Sequence, residues 1–124
     1  MSMFTASIDE APRRERDGLV SHVLLETGTV PDTALAVTWV EVEPGAGQVP
    51  HRHPPEQVYV LVAGRGRMRI GDEERELRAG DLARVPPSVE HGILNTGQEP
   101  LVYVSAASPA FSVTGAYDSG AIRA

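Results

Sequence analysis

Short apolar runs separated by glycine and proline constrain the fold of this chain more than any other feature of its sequence. The runs are rich in valine, leucine and aromatic residues, and no window shows a sustained apolar period of about 3.6 residues. The predicted strands cover residues 19–25, 34–42, 57–63, 67–70, 73–77, 82–85, 91–94 and 101–106. Because closely spaced strands joined by turns are typical of sandwiches and barrels, the sequence predicts an all-β fold.

The length of 124 residues predicts one domain. We interpret residues 1–18 as a polar N-terminal arm, 19–107 as the barrel and 108–124 as a tail that packs on or near it. The arm is either a solvated leader or an extra edge strand for a partner subunit. The run 57–63 is apolar on both faces, so we expect it to be buried on both sides.

Composition excludes several classes of function. The chain has no cysteine, so a metal site must be built from His, Asp, Glu or Gln. A formal net charge of −6 argues against binding to nucleic acid or to an anionic membrane. We recognise neither a signal peptide nor an apolar run of about 20 residues, and we therefore expect a cytoplasmic protein.

The strongest chemical signal lies in residues 45–64. His51 and His53 are one residue apart, which places their side chains on the same side of an extended chain. Gln57 has the same parity, and His91 lies in a second stretch punctuated by Gly and Pro. Converging imidazoles are typical of a transition-metal site, so we expect these side chains to meet.

Two spaced motifs make the chain resemble the cupin family. The first family motif, G-x5-H-x-H-x3,4-E-x6-G, is matched in every spacing by Gly45, His51, His53, Gln57 and Gly64, with Gln where Glu is usual. The second, G-x5-P-x-G-x2-H-x3-N, is matched by Gly80, Pro86, His91 and Asn95, with Ser88 in place of the middle Gly. Two motifs in the right order form a specific signal.

The resemblance implies a double-stranded β-helix, a jelly-roll barrel. It also implies one divalent transition metal per chain (Zn, Fe, Ni or Mn), held by His51, His53, Gln57 and His91. A metal-free cupin, in which the histidines satisfy one another, is the alternative. Three His and a neutral Gln leave the ion with a charge of about +2, against about +1 with Glu, and hence make it the stronger Lewis acid.

Glu56 is the rival ligand, because two His and a Glu would form a facial triad of the non-haem iron type. Strand parity and motif spacing favour Gln57. His22, on the run 19–25, is predicted to be catalytic or a fifth ligand if its face of the strand points inward; a hydrogen-bonded core or interface His is the alternative. Tyr59 shares the parity of Gln57 and is predicted to line the site, either as a catalytic group or as core packing.

We therefore expect a metal-dependent enzyme that acts on a small enol- or carbonyl-containing molecule as a cyclase, isomerase or lyase. In its combination of three His with a Gln, the chain resembles cupin-type polyketide cyclases and cupins of sugar-acid degradation. A dioxygenase is the second reading, and a non-catalytic ligand-binding module is the third. We also expect a homodimer, formed through Val58, Val60 and Val62 with the arm.

Overall fold

A computed structural model describes residues 3–120 of the chain. Among these residues it contains ten strands and one short helix. They are β1 (Arg13–Arg16), β2 (Leu19–Leu25), β3 (Ala36–Val42), β4 (Gly47–His51), β5 (Glu56–Ala63), β6 (Arg65–Ile70), β7 (Glu73–Arg78), β8 (Leu82–Val85), β9 (His91–Asn95), β10 (Leu101–Ser108) and α1 (Val113–Asp118). None of the described residues form a helix long and apolar enough to span a membrane.

The strands form two antiparallel sheets that face each other. One has six strands in the order β1-β2-β3-β10-β5-β8, and the other has four in the order β4-β9-β6-β7. Strands distant in sequence are neighbours in both sheets, as in a jelly roll. The predicted all-β double-stranded β-helix is confirmed.

The core lies between the sheets and comes from alternate residues of each strand. In β3 the burial alternates strictly along the strand, with every second side chain buried. The largest fully buried side chains include Tyr59, Tyr103, Leu61 and Leu101. Each of these sits at an inward position of β5 or β10, which pair with each other near the middle of the large sheet.

Strand β4 was not predicted, because Gly47 and Pro50 interrupt its apolar pattern. It pairs with β9, and this pairing requires close approach of the two backbones. A Cβ on Gly47 would lie 2.5 Å from the Ile93 carbonyl oxygen, and one on Gly92 would lie 2.6 Å from the Gln48 carbonyl oxygen. The two glycines therefore let a proline-containing segment join the sheet.

The N-terminal arm and the tail also contain structure. The last part of the arm forms β1, which pairs with β2 of its own chain and ends the large sheet with charged side chains. Charged residues are typical of an edge strand, and because of them the sequence of β1 shows no apolar pattern that would predict a strand. In the tail, Ser112 caps α1, whose Val113 and Tyr117 are buried. Residues 1–2 and 121–124 of these two segments lie outside the described residues.

Strand β5 differs from expectation on its outer face. Its inward residues are buried, but Val60 and Val62 are 36% and 47% exposed in the single chain. The prediction that this strand is buried on both sides is therefore wrong for one chain. Leu82, the cross-strand partner of Val60, is 58% exposed and extends the same apolar face.

Candidate metal centre

Three histidines meet at one end of the barrel. His51 ends β4 and His91 begins β9, and the two residues are cross-strand partners. His53 follows two residues later, in the connection to β5. The ring centroids of His51 and His91 are 4.4 Å apart, and those of His53 and His91 are 4.9 Å apart. One ring nitrogen from each residue lies within 4.8 Å of the others, so the cluster could hold a metal ion.

Backbone carbonyls orient all three rings in the same way. The Nδ1 atoms of His51, His53 and His91 lie 3.1, 3.1 and 2.8 Å from main-chain carbonyl oxygens. Those carbonyls belong to Val49, Pro55 and Val89. A carbonyl can only accept, so the Nδ1 of His51 and the Nδ1 of His91 carry the proton and their Nε2 atoms keep a lone pair. This is the tautomer that a metal ligand needs.

Burial favours the neutral form of His51 and of His91. Burial lowers the pKa of His91 to about 4, and burial also lowers the pKa of His51. Nearby histidines lower both pKa values further, against a backbone hydrogen bond that raises them. The Nε2 of His91 is buried and has no hydrogen-bond partner. A buried lone pair without a partner is costly, and an ion bound there would remove that cost.

Gln57 completes the cluster with an oxygen. Its Oε1 lies 2.7 Å from His53 Nε2, while its Nε2 donates to the Ser105 hydroxyl. His53 thus faces an acceptor oxygen at both ring nitrogens, 3.1 Å from Nδ1 and 2.7 Å from Nε2. With the proton on Nδ1, an ion held by His53 Nε2 and Gln57 Oε1 would satisfy the second contact, whereas without an ion the Nε2 tautomer would donate to Gln57. The four predicted side chains therefore fit a divalent metal.

Glu56 points away from this cluster. It is exposed on the outer face of β5, where its carboxylate lies 2.6 Å from Arg84 Nε. Adjacent residues of a strand point to opposite faces, so Gln57 and Glu56 cannot share one site. The structure thus brings together His51, His53, His91 and Gln57, as the sequence predicted.

His22 does not reach the cluster. Ser21 and Val23 occupy the inward positions of β2, so His22 faces outward beside Trp39, its partner on β3. Its Nε2 lies 3.7 Å from the Glu41 carboxylate. The expectation of an inward His22 is therefore corrected. Both faces of this run carry apolar residues, so its sequence pattern does not show which face points into the barrel.

Tyr59 lies beside the cluster, as predicted, but its hydroxyl is already engaged. The ring is fully buried, stacks on Tyr103 at 4.8 Å and meets His91 edge-on at 6.0 Å. Its hydroxyl donates to Gln48 Oε1 at 2.6 Å. Burial raises the pKa of Tyr59 far above its usual range, so it keeps its proton. In this position Tyr59 supports the site by packing.

A small cavity of about 30 Å³ adjoins the histidines inside the barrel. Hydroxyl, amide and apolar side chains line it, among them Ser21, Thr38, Gln48, Ser105, Val40 and Phe111. No Asp, Glu, Lys or Arg of the described chain is among the lining residues. The cavity therefore offers neutral hydrogen-bonding groups, and its only ionisable side chains besides tyrosines are histidines.

The C-terminal segment, residues 109–118, lines one side of this cavity. Phe111 stacks near His53, with ring centroids 5.5 Å apart, and Val113 and Tyr117 also line the cavity. Polar contacts fasten the segment from outside. The Glu26 carboxylate accepts from the Thr114 amide at 3.0 Å and from its hydroxyl.

Sequence reasoning missed two residues of the site, Ser105 and Phe111. Ser105 lies in an apolar run at the same parity as Tyr103, and an inward Ser in such a run was the available signal. For Phe111 the sequence carried no signal, because the tail has no periodic pattern that fixes its path over the barrel.

Ser88 occupies the position where the second motif has Gly. Its φ is +63°, in the left-handed region that favours glycine. Its amide donates to the His53 carbonyl at 2.8 Å. Ser88 thus links the loop between β8 and β9 to the loop between β4 and β5, which carries His53. The cost of this link is a strained backbone at Ser88.

The fold and the cluster define a small jelly-roll barrel with a three-histidine centre suited to a metal ion. The profile of the cupin domain family matches residues 38–107, more than half of the chain. The chain therefore belongs to the cupin family, as its two motifs indicated.

Individual relatives agree with this assignment. The chain is 28% identical to the uncharacterised protein MJ1618 of Methanocaldococcus jannaschii over 102 residues, 82% of either chain. It is 30% identical to oxalate decarboxylase OxdC of Bacillus subtilis over 107 residues, but that match covers only 28% of the decarboxylase. The structure superposes on an RmlC-like cupin from Shewanella frigidimarina with a TM-score of 0.75 at 23% identity, covering 90% of this chain and 95% of the other.

Proposed function

We propose that this protein is a metal-dependent enzyme that acts on a small enol- or carbonyl-containing molecule, as a cyclase, isomerase or lyase. The observation that carries the proposal is the convergence of three imidazoles, one ring nitrogen of each within 4.8 Å of the others, beside the Gln57 oxygen. A bound divalent ion would act as a Lewis acid on a substrate oxygen. Its identity, among Zn, Fe, Ni and Mn, depends on availability as well as on these ligands.

The remaining residues of the site bind and shield the substrate. The cavity walls carry no formal charge, so they suit a molecule whose charged or enolic end lies at the histidines and whose other end is neutral. No carboxylate of the described chain lines the cavity, and Tyr59 keeps its proton. Proton transfer by the protein therefore falls to a histidine or to a neutral hydroxyl.

The C-terminal segment limits the size of the molecule that this cavity can hold. A space of about 30 Å³ holds only a few water-sized groups, so a larger substrate requires lining side chains such as Phe111, which lies beside His53, to shift. Closure of the same segment would exclude water from the reaction.

A lyase reaction also has support among the relatives. Oxalate decarboxylase, whose name gives its activity, cleaves a carbon–carbon bond of a small acid. The neutral Gln57 favours stabilisation of an anionic substrate over redox chemistry, which is the basis for ranking a cupin dioxygenase of enol or catechol-like substrates second. Substrate-dependent consumption of dioxygen would establish the dioxygenase and reject the non-redox reaction.

The decisive experiment starts with metal analysis of protein purified without chelators and without a nickel column. We expect about one divalent ion per chain, and we then expect turnover of small enols and oxo acids under anaerobic conditions by the metal-loaded protein only. A protein that binds no metal would overturn the proposal.

A non-catalytic ligand-binding module is the second candidate. The small cavity favours it, because a space of this size suits retention of a small ligand. Tight metal binding without turnover of any small acid, together with saturable binding of one of them, would support this candidate.

We also propose that the chain forms a homodimer through the outer face of β5 and β8. The supporting observation is that Val60, Val62 and Leu82 are exposed side by side on this face, although the outer face of an antiparallel sheet is usually polar. Light scattering should give twice the chain mass, and Val60→Lys should reduce it to the monomer. A monomeric wild type would reject this proposal.

A further inference from the structure

Ser105 is a buried hydroxyl on an otherwise apolar stretch of β10. It pairs with Tyr59 of β5, and Gln57 occupies the next inward position of that strand. Ser105 and Gln57 are therefore diagonal neighbours on the inner face, and the Gln57 Nε2 donates to the Ser105 Oγ. Both residues are 7% exposed, so water has little access to the hydrogen-bonding groups of their side chains.

The two ends of the Gln57 side chain are chemically different. Only the carbonyl Oε1 has a lone pair for an ion, while the amide nitrogen must donate to some acceptor. When Oε1 faces His53, as it does here at 2.7 Å, the nitrogen end points into the inner face of the sheet. Without an acceptor there, the ligating orientation would leave buried N–H donors unsatisfied, which is costly.

We infer that Ser105 is a positioning residue of the metal centre, whose hydroxyl accepts a hydrogen bond from the Gln57 amide nitrogen and thereby stabilises the orientation in which the Gln57 oxygen faces the ion. This inference rests on the metal site of the proposed function. It also accounts for a neutral ligand at the motif position where Glu is usual. A carboxylate presents an oxygen at either end, whereas an amide must be oriented before it can bind an ion.

The test measures zinc affinity by competition with a chromophoric chelator, and cobalt coordination by absorption in the visible range. We expect Ser105→Ala to weaken zinc binding about tenfold and to change the cobalt spectrum, as loss of an outer-shell partner does. Thr38→Val is the matched control, because Thr38 pairs with Ser105 on β3, is buried and faces the same cavity. It should change zinc affinity less than twofold.

A second pair of variants separates orientation of Gln57 from general packing. In a Gln57→Ala background the amide is gone, so adding Ser105→Ala should change zinc affinity less than twofold. A tenfold loss that persists in this background would overturn the inference, as would an unchanged affinity of the single Ser105→Ala variant. Failure of the wild type to bind zinc or cobalt would overturn both the inference and the proposed function, whereas the other two outcomes leave the metal site standing.

Discussion

The two halves of the candidate metal centre are built differently. The first half, residues 47–57, supplies His51, His53 and Gln57 from a bulged edge strand and a proline-containing connection. The second half, residues 86–95, supplies only His91, which is fully buried on a regular strand. His91 is thus part of the core, whereas His51 and His53 are half-buried at its rim. We therefore expect the fold to tolerate replacement of His51 or His53 better than replacement of His91.

The largest expected effect comes from removing a histidine of each half. His91→Ala and His51→Ala should both cut metal content to a small fraction, with affinity at least about 100-fold weaker. The metal-free proteins should differ, because His91→Ala opens a cavity in the core and costs about 2–4 kcal/mol of unfolding free energy. His51→Ala should cost less than about 1 kcal/mol. Metal analysis and urea denaturation after chelator treatment measure both quantities, and equal losses of stability would show that the halves do not differ.

The stability of the metal-free protein should depend on pH through His91. Its pKa is about 4 in the folded chain, below the ordinary value of about 6.5 expected when unfolded. Between these values the unfolded chain binds more protons, so stability falls as the pH is lowered through this window. The loss between pH 7 and pH 4.5 should be about 2 kcal/mol, and the lowered pKa of His51 adds to it in the same direction. Thermal denaturation from pH 7 to pH 4.5 measures the effect.

The control for this dependence is a His91→Asn variant measured over the same range. Its profile should be flatter than that of the wild type, since the group with the most lowered pKa is absent. Parallel profiles of the two proteins would contradict the assignment of the effect to His91.

A smaller effect separates the two candidate side chains at the end of the first half. Gln57→Ala should weaken metal binding about tenfold, because one of four ligands is lost while the histidines remain anchored. Glu56→Ala should keep most of the metal, because it removes only an exposed ion pair with Arg84. Metal content after dialysis measures both variants. If Glu56→Ala strips the metal and Gln57→Ala does not, the ligand assignment is wrong.

The smallest effect tests the contact between the halves. Ser88→Gly should relieve the left-handed backbone and raise the unfolding free energy by about 0.5–1 kcal/mol, with the amide contact to His53 retained. Asp32→Gly is the matched control, since Asp32 has a φ of +62° in a loop between β2 and β3. A loss of stability in Ser88→Gly alone, seen by urea denaturation, would show that the Ser88 side chain has a stabilising role of its own.

The sequence was sufficient for the fold and for the set of converging side chains, because motif spacing reports on loop lengths that the barrel imposes. It was insufficient where a local pattern was ambiguous. The run containing His22 is apolar on both faces, so only its pairing with β3 decides that Ser21 points inward. Strand β4 was hidden by glycine and proline, although it pairs His51 with His91.

The sequence also does not predict how segments without a periodic apolar pattern pack on the barrel. Helix α1 is short and contains Gly115, so neither its existence nor the position of Phe111 over His53 follows from the residues alone. Ser105 could not be recognised as a neighbour of Gln57, because their proximity depends on the register between β10 and β5. These contacts are non-local, and a single sequence does not state them.

The anchoring of the three Nδ1 atoms on main-chain carbonyls has a consequence for variation among related chains. Every residue at positions 49, 55 and 89 carries a carbonyl, whatever its side chain. Substitutions at these three positions would leave in place the oxygens that orient the imidazoles, and none of the three side chains lines the cavity. The orientation of the rings is thus a property of the chain path itself, and a change of side chain there should preserve it.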